Sequence, residues 1–71
     1  MKRHLVEYET STGRVRRVYW QGENYAEAAN SFAKAVVAAL KHSDFIPCET
    51  ANGLVHANPF LIERVRVTRE G

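Results

Sequence analysis

Apolar residues at helical spacing occur in one segment of this chain, and alternating residues flank it on both sides. From Tyr25, the residues Ala28, Ala29, Phe32, Val36, Ala39 and Leu40 recur every three or four positions, which draws a single stripe along a helix. Asn24 followed by Glu27 has the spacing of a capping box, in which the two side chains satisfy amides left free at a helix start. Glu23 and Glu27 near the beginning and Lys34, Lys41 and His42 toward the end suit the helix dipole. A lone helix between strand patterns must bury its stripe on a sheet, so the chain is expected to be α+β. Seven alanines between Ala26 and Ala39 keep the helix slim. Ala33, Val37 and Ala38 extend its apolar surface beyond what one sheet needs, and this second edge, or an open sheet edge, would serve a two-fold homodimer.

His4 to Thr10 and Arg14 to Trp20 are rich in β-branched and aromatic residues, and Ser11-Thr12-Gly13 separates them. A two-residue loop would mix charge and large apolar groups on both faces. A three-residue loop with left-handed Gly13 instead places Val6 opposite Val18, His4 opposite Trp20 and Glu7 opposite Arg17. The second register is expected, because it gathers Val6, Tyr8, Val18 and Trp20 on a core face. Leu5, Glu7, Glu9, Val15, Arg17 and Tyr19 then lie outside.

After Ser43-Asp44 strand patterns return, from Phe45 to Ala51 and from Leu54 to Ala57. Asn52-Gly53 between them predicts a type I′ turn, pairing Thr50 with Val55, Glu49 with His56 and Cys48 with Ala57. Ile46, Cys48 and Val55 would face the helix, and Pro47 marks an edge or a strand end. Asn58-Pro59 reads as a cap and first-turn pair for one helical turn through Phe60 and Leu61. A last strand follows from Ile62 to Arg69, with Val65 and Val67 inward and Arg64, Arg66 and Thr68 outward. The expected order is ββαβββ, a four- or five-stranded antiparallel sheet with one helix packed on one face.

At 71 residues this is one domain, 1–71, with a thin margin between hydrophobic gain and chain entropy. Cys48 stands alone, so no internal disulfide forms, and no Cys/His spacing fits a structural zinc site; a reducing, cytoplasmic setting is expected. No apolar run approaches a membrane span, and the N-terminal residues lack a signal-peptide core.

Catalytic chemistry finds little footing. Histidines His4, His42 and His56 have no paired spacing, and glycines are scattered singly rather than grouped in a phosphate loop. His56 opposite Glu49 is the one acid/base pair the pattern supplies; it reads as a base with its orienter or, more simply, as a cross-strand polar pair. Cys48 on the core side reads as a small hydrophobe. No enzyme activity, cofactor or metal is expected.

The formal charge is +2, yet residues 1–22 carry an excess of +3, offset by −1 over residues 23–44. Arg14, Arg16 and Arg17 beside Tyr19, with Arg64 and Arg66 on the last strand, provide phosphate contacts around a stacking ring if the partner is nucleic acid. Interspersed Glu7, Glu9, Glu49 and Glu63, and the single aromatic, count against that reading. A protein partner draws on the same residues together with Phe60, since arginine and aromatic side chains are enriched at interface hot spots. Phe60 has a competing role as a staple of its turn to the core, and Tyr19 as a shield for its neighbouring strand.

The hairpin at Val6–Trp20, the alanine-rich helix at Tyr25–Leu40 and the closing residues Val65 and Val67 resemble, in length and architecture, certain small phage-encoded anti-CRISPR proteins. The resemblance spans nearly the whole chain and includes no diagnostic motif, so it transfers no functional residue. It implies an inhibitor of a bacterial defence nucleoprotein complex, acting in the host cytoplasm by covering a protein surface. Many such inhibitors are acidic mimics of DNA, whereas this chain is basic. It would therefore need an acidic or mixed protein surface as its partner.

Overall fold

The computed structural model describes residues 2–67, and its elements follow the expected order. Strands β1 (Arg3–Thr10) and β2 (Val15–Gln21) form the first hairpin and helix α1 (Tyr25–His42) follows. Strands β3 (Ile46–Thr50) and β4 (Gly53–Ala57) form the second hairpin; a 3-10 turn (Pro59–Leu61) then leads to β5 (Ile62–Val65). All five strands join one antiparallel sheet in the spatial order β4-β3-β2-β1-β5.

The first hairpin has the expected register: Val6 opposite Val18, His4 opposite Trp20 and Glu7 opposite Arg17. Gly13 takes φ 82°, and the loop closes with Gly13 N–H donating to Thr10 O at 3.0 Å. This register puts Val6, Tyr8 and Val18 in the core with Trp20 packed against it. The helix supplies Ala28, Ala29, Phe32, Val36 and Ala39, and the second hairpin supplies Ile46, Cys48 and Ala57. Phe32 lies between two rings, 5.6 Å from Tyr8 and 5.0 Å from Trp20, the latter edge-on at 68°. Leu40, assigned to the stripe by its spacing, lies at the flank and is exposed.

Both caps form as their residues dictate. Asn24 Oδ1 accepts the Glu27 amide at 2.9 Å, and Asn58 Oδ1 accepts the Phe60 amide at 3.0 Å. The helix ends where Ser43 adopts the left-handed conformation, φ 54°.

The second hairpin differs from the expectation. Cys48 pairs with Val55, Glu49 with Leu54, Pro47 with His56 and Thr50 with Gly53, a slide of two residues. Asn52 does not take the positive φ that a type I′ turn requires of it; Gly53 alone does, at 116°. The Thr50 hydroxyl holds this turn by accepting the Asn52 amide at 3.2 Å and donating to Gly53 O at 2.8 Å. A two-residue slide keeps each side chain on its face, so Ile46 and Cys48 still reach the core. It does separate His56 from Glu49. The last strand is also shorter than expected: β5 ends at Val65, Val67 is exposed rather than inward, and Thr68 and Arg69 lie outside the described residues.

Strands β4 and β5 lie at opposite edges, so the segment joining them crosses the sheet on its helix side, with Pro59 buried and the 3-10 turn against α1. The Ser11 amide anchors the far end by donating to Leu61 O at 2.9 Å.

Close approach at the helix start depends on Gly22. A Cβ there would lie 2.5 Å from the Ala28 amide nitrogen and 2.8 Å from its Cα, both of them backbone atoms that cannot rotate away. Gly22→Ala is therefore expected to destabilise the chain by about 1–3 kcal/mol, the usual range for overpacking, as read by urea unfolding. An unchanged midpoint would mean that α1 is not held this close to the end of β2.

Candidate interaction surface

The pleat sends alternate residues of each strand to the face away from the helix, and there the charges are paired. Arg17 Nη2 lies 3.0 Å from Glu7 Oε2, as their cross-strand position requires. Glu9 Oε1 accepts from both Arg64 and Arg66, each at 3.0 Å. A register shift between Glu9 and Thr10 lets β5 bring Arg64 opposite Glu9. The same two arginines hold the Glu9 carboxyl below its ordinary range, Arg66 contributing most and Arg64 next.

One row across this face runs Leu5, Tyr19, Glu49, Leu54 through β1, β2, β3 and β4. Arg3 sits over the Tyr19 ring, its Cζ 4.5 Å from the centroid, and forms an ion pair with Glu49. Leu54 ends the row on edge strand β4, 77% exposed. Arg3, Tyr19, Glu49 and Leu54, with Pro47 and Gln21, border a groove of about 460 Å³ that reaches Trp20 and Ser31 at the sheet end.

The residues expected from sequence to contact a partner are thus divided. Arg17, Tyr19 and Arg64 share the outer face, with Arg66 just past β5 joined to the same glutamate as Arg64. Arg16 points to the opposite face, where it is the cross-strand neighbour of Tyr8. Arg14 lies in the hairpin connection. Phe60 is 63% exposed on the 3-10 turn, because Pro59 rather than Phe60 fills the core there. Arg3 and Leu54 were not among the expected residues. The parity of β1 could have shown Arg3, two residues before Leu5. Leu54 was hidden by the register of the second hairpin, which set Glu49 against His56.

Burial pushes the Cys48 thiol up, and its Sγ–H donates to Ile46 O at 3.4 Å. Among the described residues no group of His, Cys, Asp and Glu side chains could hold a metal ion. Nor is any described helix long and apolar enough to cross a membrane.

Comparisons with protein-family models, with curated proteins and with solved structures give no match.

Two outcomes follow from these local environments. Because the folded Glu9 pKa is depressed, its stabilisation is present above the ordinary carboxylate range and is lost as pH falls through the folded value. Glu9→Gln should lower stability at pH 7 and flatten the decline in unfolding midpoint on acidification; an acid limb identical to wild type would exclude this linkage. The buried, protonated Cys48 should react with a neutral-pH thiol reagent on the order of a hundredfold more slowly in the folded chain than in urea. Equal rates would place the thiol outside the core.

Proposed function

We propose that this chain is a non-enzymatic protein-binding module that covers a partner's surface with its outer sheet face, centred on Tyr19 and Leu54. The observation that carries this reading is the internal pairing of the arginines there. Arg3, Arg17, Arg64 and Arg66 each meet a glutamate of the same chain. Phosphate binding draws its affinity from cations that displace counterions, and a cation already neutralised must break its pair to contribute. A charge-balanced face bearing an aromatic ring, a guanidinium stacked on it and an exposed leucine at the edge suits a protein surface of mixed charge. The specific form we propose is the one the anti-CRISPR resemblance implies: occlusion of a protein surface in a bacterial defence nucleoprotein complex.

Nucleic-acid binding is the second reading. Arg14 and Arg16, which have no carboxylate partner among the described residues, are the side chains that favour it.

Tagged wild type, Tyr19→Ala, Leu54→Glu and the double variant Arg14→Ala/Arg16→Ala separate the two readings. A protein retained from bacterial lysate is identified and its affinity for each purified variant measured. We expect Tyr19→Ala and Leu54→Glu each to weaken binding by about tenfold or more and the arginine variant to leave it within a few-fold. The protein-binding reading is overturned if no protein is retained while oligonucleotides bind in a salt-sensitive manner that Arg14→Ala/Arg16→Ala abolishes.

A further inference from the structure

The helix-side face holds a second feature, independent of the outer one. The segment crossing from β4 to β5 leaves a cavity of about 590 Å³ beneath it, bounded by the β1–β2 hairpin tip and by the β3–β4 turn. That size lies within the range of small-molecule sites.

Its lining mixes apolar and polar side chains. Its apolar residues come from both ends of the strand order, Val55 and Ala57 on β4 and Leu61 and Ile62 at β5, with Val18 on β2 between them. The strands between carry polar groups on this face, Tyr8 and Thr10 on β1, Arg16 on β2 and Thr50 on β3, and Asn52 adds one from the β3–β4 turn. Among the described residues no aspartate or glutamate lines it, although Glu7 and Glu9 stand on the same strand as Tyr8 and Thr10. The pleat explains this, since both glutamates point to the other face and are bound there to Arg17, Arg64 and Arg66.

Arg16 is the charge left over. Among the described residues it is the one strand arginine without a carboxylate partner, because Arg3, Arg17 and Arg64 are all paired. Arg17 also borders the cavity, but its guanidinium is engaged by Glu7. Arg16 sits directly across from Tyr8, whose phenol burial pushes up, so the phenol remains a hydrogen-bond donor at neutral pH. A guanidinium across from a phenol donor, with hydroxyl and amide groups around and apolar residues flanking them at both sheet edges, is complementary to an anion with an apolar body.

We propose that this cavity is a binding site for a small organic anion, a carboxylate or phosphate monoester on an apolar body, with Arg16 supplying the counter-charge.

The test is a titration of the isotopically labelled full chain with benzoate, phenyl phosphate and neutral benzamide, followed by amide chemical shifts. Benzoate or phenyl phosphate should give saturable shifts centred on Tyr8, Arg16, Thr50 and Val55, with benzamide at least about tenfold weaker. Arg16→Gln should weaken the anion by about tenfold or more, Arg16→Lys by less, and Arg17→Gln should leave it within a few-fold. Val55→Trp, which fills the cavity without altering its charge, should abolish binding and keeps the test open should Arg16→Gln fail to fold. Absence of saturable shifts for both anions would overturn the site, as would equal binding of benzamide or indifference to Arg16→Gln. An Asp- and Glu-containing peptide that shifts these amides where neither small anion does would overturn the small-molecule assignment. Because Tyr19 and Leu54 lie on the other face, their variants should leave this titration unchanged, so the site stands or falls separately from the proposed interface.

Discussion

The seat of the Phe32 ring between Tyr8 and Trp20 fixes where the helix lies on the sheet. Each aromatic pair adds about 0.5–1.5 kcal/mol beyond burial, and removing a buried phenylalanine ring typically costs about 3–5 kcal/mol. A chain of 71 residues has a total stability of roughly 4–11 kcal/mol by the usual per-residue range. A single ring therefore accounts for a large part of what holds the fold. The same contact also limits what the helix covers. The Val6–Val18 row is buried beneath it, whereas one row further on Tyr8 is buried and Arg16 is exposed. The cavity begins where the helix stops covering the sheet.

Two smaller devices keep the helix in that position. At its start, the absence of a side chain on Gly22 lets the end of β2 come against the Ala28 backbone. One step later, the Tyr25 hydroxyl accepts the Glu7 amide at 3.3 Å and donates to Arg66 O at 3.0 Å, while the Arg66 amide donates to Glu7 O at 2.9 Å. This triangle ties α1 to β1 and to the chain leaving β5. It is also what brings Arg66 within reach of Glu9, so the packing of one tyrosine on the helix contributes to the neutralisation of charge on the opposite face.

Most of the fold was legible because its signals are local. The Asn24 and Asn58 caps, the helical spacing of Ala28, Phe32 and Val36, and the need to sort Val6 and Val18 from Glu7 and Arg17 each have one good solution. The register of the second hairpin was not legible, since both registers put Cys48 and Val55 on the same face and burial cannot distinguish them. The decision lay in the Thr50 hydroxyl, which satisfies groups on both sides of a turn that Asn52-Gly53 by itself would have shaped differently. That one slide removed the His56–Glu49 pair and created the Glu49–Leu54 neighbour that extends the outer row. The crossing of the 3-10 turn, and with it the cavity, depends on which edges β4 and β5 occupy, a long-range choice with no local signature.

Charge shows most clearly how sequence and structure differ as descriptions of this chain. Counted along the sequence, Arg14, Arg16 and Arg17 form one basic cluster. The two-residue period of a strand divides it: Arg17 turns to the outer face and meets Glu7, while adjacent Arg16 turns to the helix side and meets no carboxylate among the described residues. Pairing in high dielectric adds little stability, about 0–1 kcal/mol for an exposed pair, but it largely cancels the field a distant polyanion would feel. The outer face is thereby matched to a surface of mixed charge, although it holds more of the strand arginines. Among the described residues the inner face carries a usable positive charge with one strand arginine, Arg16. Net charge over a segment therefore overstates what a partner meets on one side of this sheet and understates it on the other.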